Sequence, residues 1–450
     1  MAQTVFASEA LLSEGWARNV RVSLGDDGLI SDAATGVAAA NGDKVVSALI
    51  SGIPNLHSHA FQRGMAGLSE KRGATADSFW TWRDVMYRFA LGLSPEEAQA
   101  VAEMAYVEML ETGFTRVGEF HYLHHDRNGQ PYADPAEMSL RMIAAAEVTG
   151  INLTHLPVFY AHSDFGGKAP NDGQRRFIHS LDGYARLMER LGKAITRPLD
   201  RLGIAPHSLR AVTGDELAAL IATNPTGPVH IHISEQVREV NDSVAFSGKR
   251  PVEWLLSHLP VDERWCLIHA THLTEAERSG IARSGAVAGL CPITEANLGD
   301  GLFPAGPFMA EGGIIGLGSD SNVEITAAGE IRLLEYGQRL TQRLRNVLSG
   351  GEGSTGGALY RACVAGGAQA LAAPGHEIVA GAPADLIGLA DPVGLPAGGD
   401  QTLDRWVFGR DVAVSEVWAA GQHLVSGGRH KDRERIEAGF SKAMRRVLAE

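Results

Sequence analysis

Between residues 45 and 320 the chain repeats one pattern: a short apolar run, a polar residue capable of chemistry at its end, then a stretch with helical punctuation. The runs are 45–50, leading to His57-Ser58-His59; 114–120, ending in His121-Tyr122; 153–159, ending in Tyr160; and 202–206, ending in His207. They continue with 229–233, which contains His230 and His232; 266–268, ending in His269; 286–290, ending in Cys291; and 314–318, ending in Ser319-Asp320. Eight strand-plus-helix units predict an α/β fold, a closed parallel (β/α)8 TIM-like barrel whose strand ends gather polar residues around one mouth.

The connecting segments carry helix signals. Ser94-Pro95-Glu96-Glu97 supplies a cap, a proline at the first helical position and acid at the positive end of the dipole, and Gly113 closes that helix. Segments 213–221 and 274–283 begin with threonine caps, and 324–348 reads as the helix after the eighth strand. At 450 residues the chain exceeds the usual barrel of about 250, so further structure is required. The termini alternate apolar residues with turns and glycine. They predict a small composite β-sandwich domain from residues 1–48 and 375–450, flanking a hydrolase-type barrel over 49–374.

No apolar run approaches the roughly 18 residues needed to span a bilayer, and the start lacks the basic region of a secretory signal, so a cytoplasmic protein is expected. Three cysteines without close spacing argue against a disulfide framework. A formal charge of -13 disfavours nucleic acid as a partner and obliges any anionic ligand to find a local cationic pocket.

A strand has side-chain period two, so His57 and His59 point the same way and offer two imidazole nitrogens to one metal ion. His232 lies further along its strand than His230 and is the better third ligand; His230, one pleat deeper, reads as a hydrogen-bonded interior residue. Asp320 completes three imidazoles with one carboxylate, a donor set for Zn2+ first, with iron and manganese also accepted. Glu235, three residues after His232, and His269, at the end of the sixth strand, are placed for proton transfer. His121, His124, His125 and His272 match no ligand spacing and read as loop or structural residues.

This constellation resembles the amidohydrolase superfamily, in its mononuclear deaminase branch. No lysine ends the fourth strand, at His207-Ser208, where binuclear members carry a bridging one. Longer segments resemble one family of that branch, the formimidoylglutamate deiminases. They are 55–63 (NLHSHAFQR), 78–83 (SFWTWR), 119–122 (EFHY), 207–212 (HSLRAV), 230–236 (HIHISEQ) and 294–301 (TEANLGDG). Ile293 and Asn322 depart from some members, which carry Ser and His there. The resemblance implies hydrolysis of N-formimino-L-glutamate to N-formyl-L-glutamate and ammonia, in histidine degradation. One divalent ion per subunit would sit on His57, His59, His232 and Asp320, with Asp320, His269 and Glu235 catalytic. Arg83 and Arg210 would hold the two substrate carboxylates, helped by Gln62, Tyr122 and His207. A homodimer is implied, with Arg83 reaching the neighbouring subunit's site. Two other readings remain open: a purine or pyrimidine deaminase of the same branch, and a metal-free barrel kept as a scaffold.

Overall fold

The computed structural model describes residues 3–71, 79–394 and 398–449; Ser78 of the 78–83 motif lies outside them. Strands Phe114–His121 and Asn152–Phe159 are buried at every position, the signature of parallel strands covered on both faces. Ile53–Ser58, Phe114–His121 and Asn152–Phe159 pair in parallel, and the last pairs with two short pieces, Arg201–Leu202 and Ala205–Pro206, on either side of Gly203. A second parallel set runs Val229–Ile233, Trp265–His269, Val287–Leu290 and Ile314–Leu317. Parallel bridges Ile204 to Val229, Ser208 to His232 and Ser58 to Asp320 connect the two sets at both margins.

The helical signals resolve as capped helices. Ser94 and Glu97 form a capping box on Pro95–Thr112, which ends at Gly113 in the left-handed conformation. Thr213 with Glu216 and Thr274 with Glu277 cap Gly214–Thr223 and Glu275–Ser284 in the same way. The helix expected over 324–348 is shorter, Ala327–Gln342, because the Thr326 side chain accepts from Gly329 N and Arg343 turns left-handed.

The apolar run 45–50 is not the first strand of the parallel set. It lies in Lys44–Ser51, which joins an eight-stranded sheet from both chain ends in the order Arg429–His430, Gln422–Ser426, Ala413–Ala419, Leu386–Ala390, Lys44–Ser51, Gln3–Leu12, Gly15–Leu24, Ile30–Ala34. Gly52 makes the handover: a Cβ there would lie 2.1 Å from Thr115 Oγ1, so only glycine lets the chain pass between the two sheets. All eight terminal strands lie on one hydrogen-bonded path rather than in two separately paired sheets. Asp385 ties this sheet to the parallel set, accepting from Asn152 Nδ2 at 2.8 Å and from Ala420 N at 2.7 Å.

Of the histidines read as loop or structural residues, His121 and His124 are interior, and His125 and His272 are half-buried. His121, His124, His155 and His179 are buried, with ring centres 5.7 Å apart for His121 and His155 and 4.5 Å for His124 and His179. Burial pushes His121 and His179 down to about 3 and holds His124 and His155 well below the ordinary imidazole range. Unfolded imidazoles titrate near 6.5, so below that pH the unfolded chain takes up protons that the folded chain refuses. Stability therefore falls as pH drops below 6.5, across a window toward 3 set by His121 and His179. Urea unfolding should show a steep loss between about pH 6 and 4, and His155→Leu should make it shallower by about one proton; a flat profile would refute this.

Candidate metal centre and substrate cleft

All four expected ligands converge. Single donor atoms of His57, His59, His232 and Asp320 all lie within 4.8 Å of one another, and all four residues are buried. His232 Nε2 is 3.1 Å from His57 Nε2, and Asp320 Oδ1 is 3.2 Å from His59 Nε2 and 3.4 Å from His57 Nε2. Donors bound tetrahedrally at about 2.0–2.1 Å from one ion stand about 3.3 Å apart, so these spacings fit a single divalent cation. The ring orientations are set from behind: His59 Nδ1 bonds Phe120 O at 2.8 Å and His232 Nδ1 bonds His207 O at 3.1 Å, leaving each Nε2 for the ion. Burial lowers His57 to about 3 and also lowers His59 and His232, so the rings present neutral lone pairs. Burial alone would raise Asp320, but contact with His57 and the nearby His59 hold its carboxyl well below the usual range.

The backbone delivers Asp320 by close approach and strain. A Cβ on Gly318 would lie 2.7 Å from His57 O, so glycine lets the last parallel strand press against the first. Ser234, His269 and Asp320, which follow or end their strands, have φ of 52°, 66° and 43°, left-handed values that non-glycine residues rarely adopt. Around Asp320 a buried network holds this conformation. Asn55 Nδ2 donates to Ser319 Oγ at 2.6 Å, Ser319 Oγ donates to Asn322 Oδ1 at 2.6 Å, and Asn322 Nδ2 donates to His59 O at 3.1 Å.

Beside the ligands, His269 Nε2 faces Glu235 Oε1 and Asp320 Oδ2, each at 3.8 Å, and its Nδ1 lies 3.2 Å from Glu295 Oε1. Burial alone would lower His269, but Glu235, Glu295 and Asp320 lift it to about 10. Burial raises Glu235 above the usual carboxylate range, so it can hold or release a proton near neutrality. Glu295 had no role in the sequence reading. Its carboxylate also accepts from Cys291 N at 2.9 Å and so fixes the outer face of His269; the signal was an acid in the first turn of Pro292–Leu298. Asp300, also missed, is buried and accepts from Gln236, the neighbour of Glu235. His230 sits apart as expected, its Nε2 2.7 Å from Ala370 O. His272 Nε2 is buried without a partner among the described residues.

A cleft with about 540 Å³ of atom-free space opens on this centre, and all five expected substrate residues, Gln62, Arg83, Tyr122, His207 and Arg210, line it. Gln62 Nε2 donates to Tyr122 OH at 2.7 Å, and Gln62 Oε1, Arg83 Nε and Arg210 Nε are buried without hydrogen-bond partners among the described residues. Arg83 was expected to reach a neighbouring subunit's site. Within one chain, helix Phe79–Gly92 places it along that chain's own cleft, beside Phe79, Met86 and Tyr87.

Comparison with known proteins agrees with this geometry. The sequence profile of the amidohydrolase family matches residues 48–424, and that of the formimidoylglutamate deiminase HutF N-terminal domain matches residues 2–46. The formimidoylglutamate deiminase of Pseudomonas aeruginosa is 49% identical over 449 residues, covering 99% of both chains. A crystal structure of an amidohydrolase from Brucella melitensis is 54% identical and superposes with a TM-score of 0.97, covering 99% of this chain and 100% of that one. A zinc-bound adenosine deaminase from Xanthomonas campestris, 22% identical, shares the fold with a TM-score of 0.81, covering 100% of this chain and 99% of its own. The chain belongs to the amidohydrolase family, among the formimidoylglutamate deiminases, and is a hydrolase of C–N bonds with a His-His-His-Asp group for a divalent metal.

Proposed function

We propose that the protein hydrolyses N-formimino-L-glutamate to N-formyl-L-glutamate and ammonia, in histidine degradation, within a closed (β/α)8 barrel spanning 49–374. The observation that carries this is one cleft joining the four-ligand cluster to two arginines, Arg83 and Arg210, whose buried Nε donors lack partners among the described residues. The three parallel bridges at the margins of the two strand sets support closure of the barrel. A divalent ion on His57, His59, His232 and Asp320, Zn2+ in the first instance, supplies Lewis acidity that lowers the pKa of water from about 15.7 toward 7.

His269, held charged by the carboxylates around it, orients the attacking water; Asp320 takes its proton, and the water oxygen bonds to the formimino carbon as the C=N π pair moves to nitrogen. The two water protons reach the terminal nitrogen through Asp320 and Glu235, the second leaving the adduct's hydroxyl as the carbonyl forms, so the carbon–nitrogen bond breaks with neutral ammonia as leaving group. Arg83 and Arg210 each match a carboxylate with parallel N–H donors, and Gln62, Tyr122 and His207 add hydrogen bonds. Arg210→Met should mainly raise KM, at a cost of about 2 to 5 kcal/mol, because it strands a buried carboxylate. Unchanged KM and kcat would dismiss the clamp.

The compartment in this reading is the cytoplasm. No helix among the described residues is long and apolar enough to cross a membrane, and Cys266, Cys291 and Cys363 are buried free thiols. The assembly is a homodimer, for which the exposed Tyr336 and Leu340 of Ala327–Gln342, with Leu302 and Leu344 nearby, offer an apolar surface; sedimentation would check it. Ammonia release by metal-analysed protein tests the activity. Faster turnover of a purine or pyrimidine than of N-formimino-L-glutamate would overturn it in favour of a base deaminase. Purified protein with an empty ligand cluster and no turnover would instead support a scaffold.

A further inference from the structure

Helices Phe79–Gly92 and Val237–Ser247 follow the first and fifth parallel strands, and they meet at Trp80. The Arg83 guanidinium carbon lies 4.5 Å from the indole centre, that of Arg238 4.4 Å and that of Arg210 6.0 Å. Three cations surround one ring, while the Glu239 and Glu235 carboxylates also act on Arg210. Arg238 is also in an unfavourable place for a cation, the first turn of its helix, at the positive end of the dipole. Its ion pair with Asp242, at 3.4 Å, is exposed and does not account for that placement.

We propose that Trp80 is a positioning residue of the carboxylate clamp, holding Arg83 and Arg210 toward the cleft and gathering Arg238 as a third cation at its rim. This rests on the diacid reading of the site given above. The negative face of an indole attracts a guanidinium at these distances without neutralising its charge or occupying its N–H donors. A carboxylate partner from the protein would do both, and the clamp would then compete with its own support. Buried Arg83 Nε and Arg210 Nε have no hydrogen-bond partner among the described residues, which is the state a ring platform preserves. Tyr87, 5.5 Å from the Arg83 guanidinium carbon, gives that side chain a second aromatic neighbour.

The test compares Trp80→Leu, Trp80→Phe and Arg238→Ala with the wild type, each with its metal content measured. Trp80→Leu should raise KM for N-formimino-L-glutamate, and the dissociation constant of glutarate by calorimetry, about tenfold or more, with kcat changed by less than about threefold. Trp80→Phe keeps a π face and should recover most of that loss, whereas a purely space-filling role would be served as well by leucine. Arg238, with 64% of its side chain exposed, can be replaced without disturbing the core. Arg238→Ala should raise KM by about threefold and weaken the dependence of kcat/KM on ionic strength. Wild-type KM and glutarate affinity in Trp80→Leu, or equal losses in the Leu and Phe variants, would overturn the role of Trp80. A wild-type protein that neither turns over N-formimino-L-glutamate nor binds glutarate would overturn the diacid reading itself.

Discussion

Glu235→Gln should leave the metal content of the purified protein unchanged and lower kcat by about 10² to 10⁴-fold, the usual worth of a placed proton-transfer group. The side chain is buried and lines the cleft, and it is ion-paired with His269 Nε2 at 3.8 Å. Glutamine keeps the shape and the hydrogen-bonding reach but cannot carry a proton to the departing nitrogen. Because Glu235 is not one of the four clustered donors, metal retention separates this role from ligation. Near-wild-type turnover would remove Glu235 from the mechanism, and loss of metal would make it part of the centre.

His232→Ala should remove metal and activity together. The His232 ring is held between His207 O and the other ligands, and its Nε2 is 3.1 Å from His57 Nε2, a distance that two neutral imidazoles tolerate best with a cation between them. Three donors remain after the substitution, and water replaces an oriented imidazole, which loosens the ion and misplaces the attacking water. His230→Ala is the control two residues away. Its Nε2 bonds Ala370 O inside the core, so that variant should keep its metal and lose stability. Full metal occupancy in His232→Ala, measured by mass spectrometry of the purified protein, would show that the ligand was misassigned.

The ligands were legible because strand periodicity and position along a strand decide which imidazoles share a mouth, and both can be read from spacing. That argument separated His232 from His230, and the structure places them as expected. Spacing is silent about which sheet an apolar run joins. Residues 45–50 look like a strand entering the site, whereas the feeding strand is Ile53–Ser58, disguised by Pro54 and Asn55 in its interior. Glu295 was not legible for a different reason. Its role is to bond His269 from the end of the neighbouring strand, and only the paired strands bring the two within 3.2 Å. The buried histidines fall in the same class, since residues 121 to 125 look like a polar loop until the segment around Arg176 and His179 covers them; His124 N and His125 N both donate to Arg176 O.

Strand Lys44–Ser51 pairs on one side with Gln3–Leu12, made just before it, and on the other with Leu386–Ala390, near the far end of the chain. During synthesis the emerging polypeptide therefore carries an unpaired, apolar β edge throughout the time the parallel strands are being made. Such an edge templates pairing with other chains. Expression at high rate or temperature would then fail by aggregation of nascent chains before it failed by instability of the finished fold, and truncations that drop the last strands would be insoluble even with every metal ligand intact.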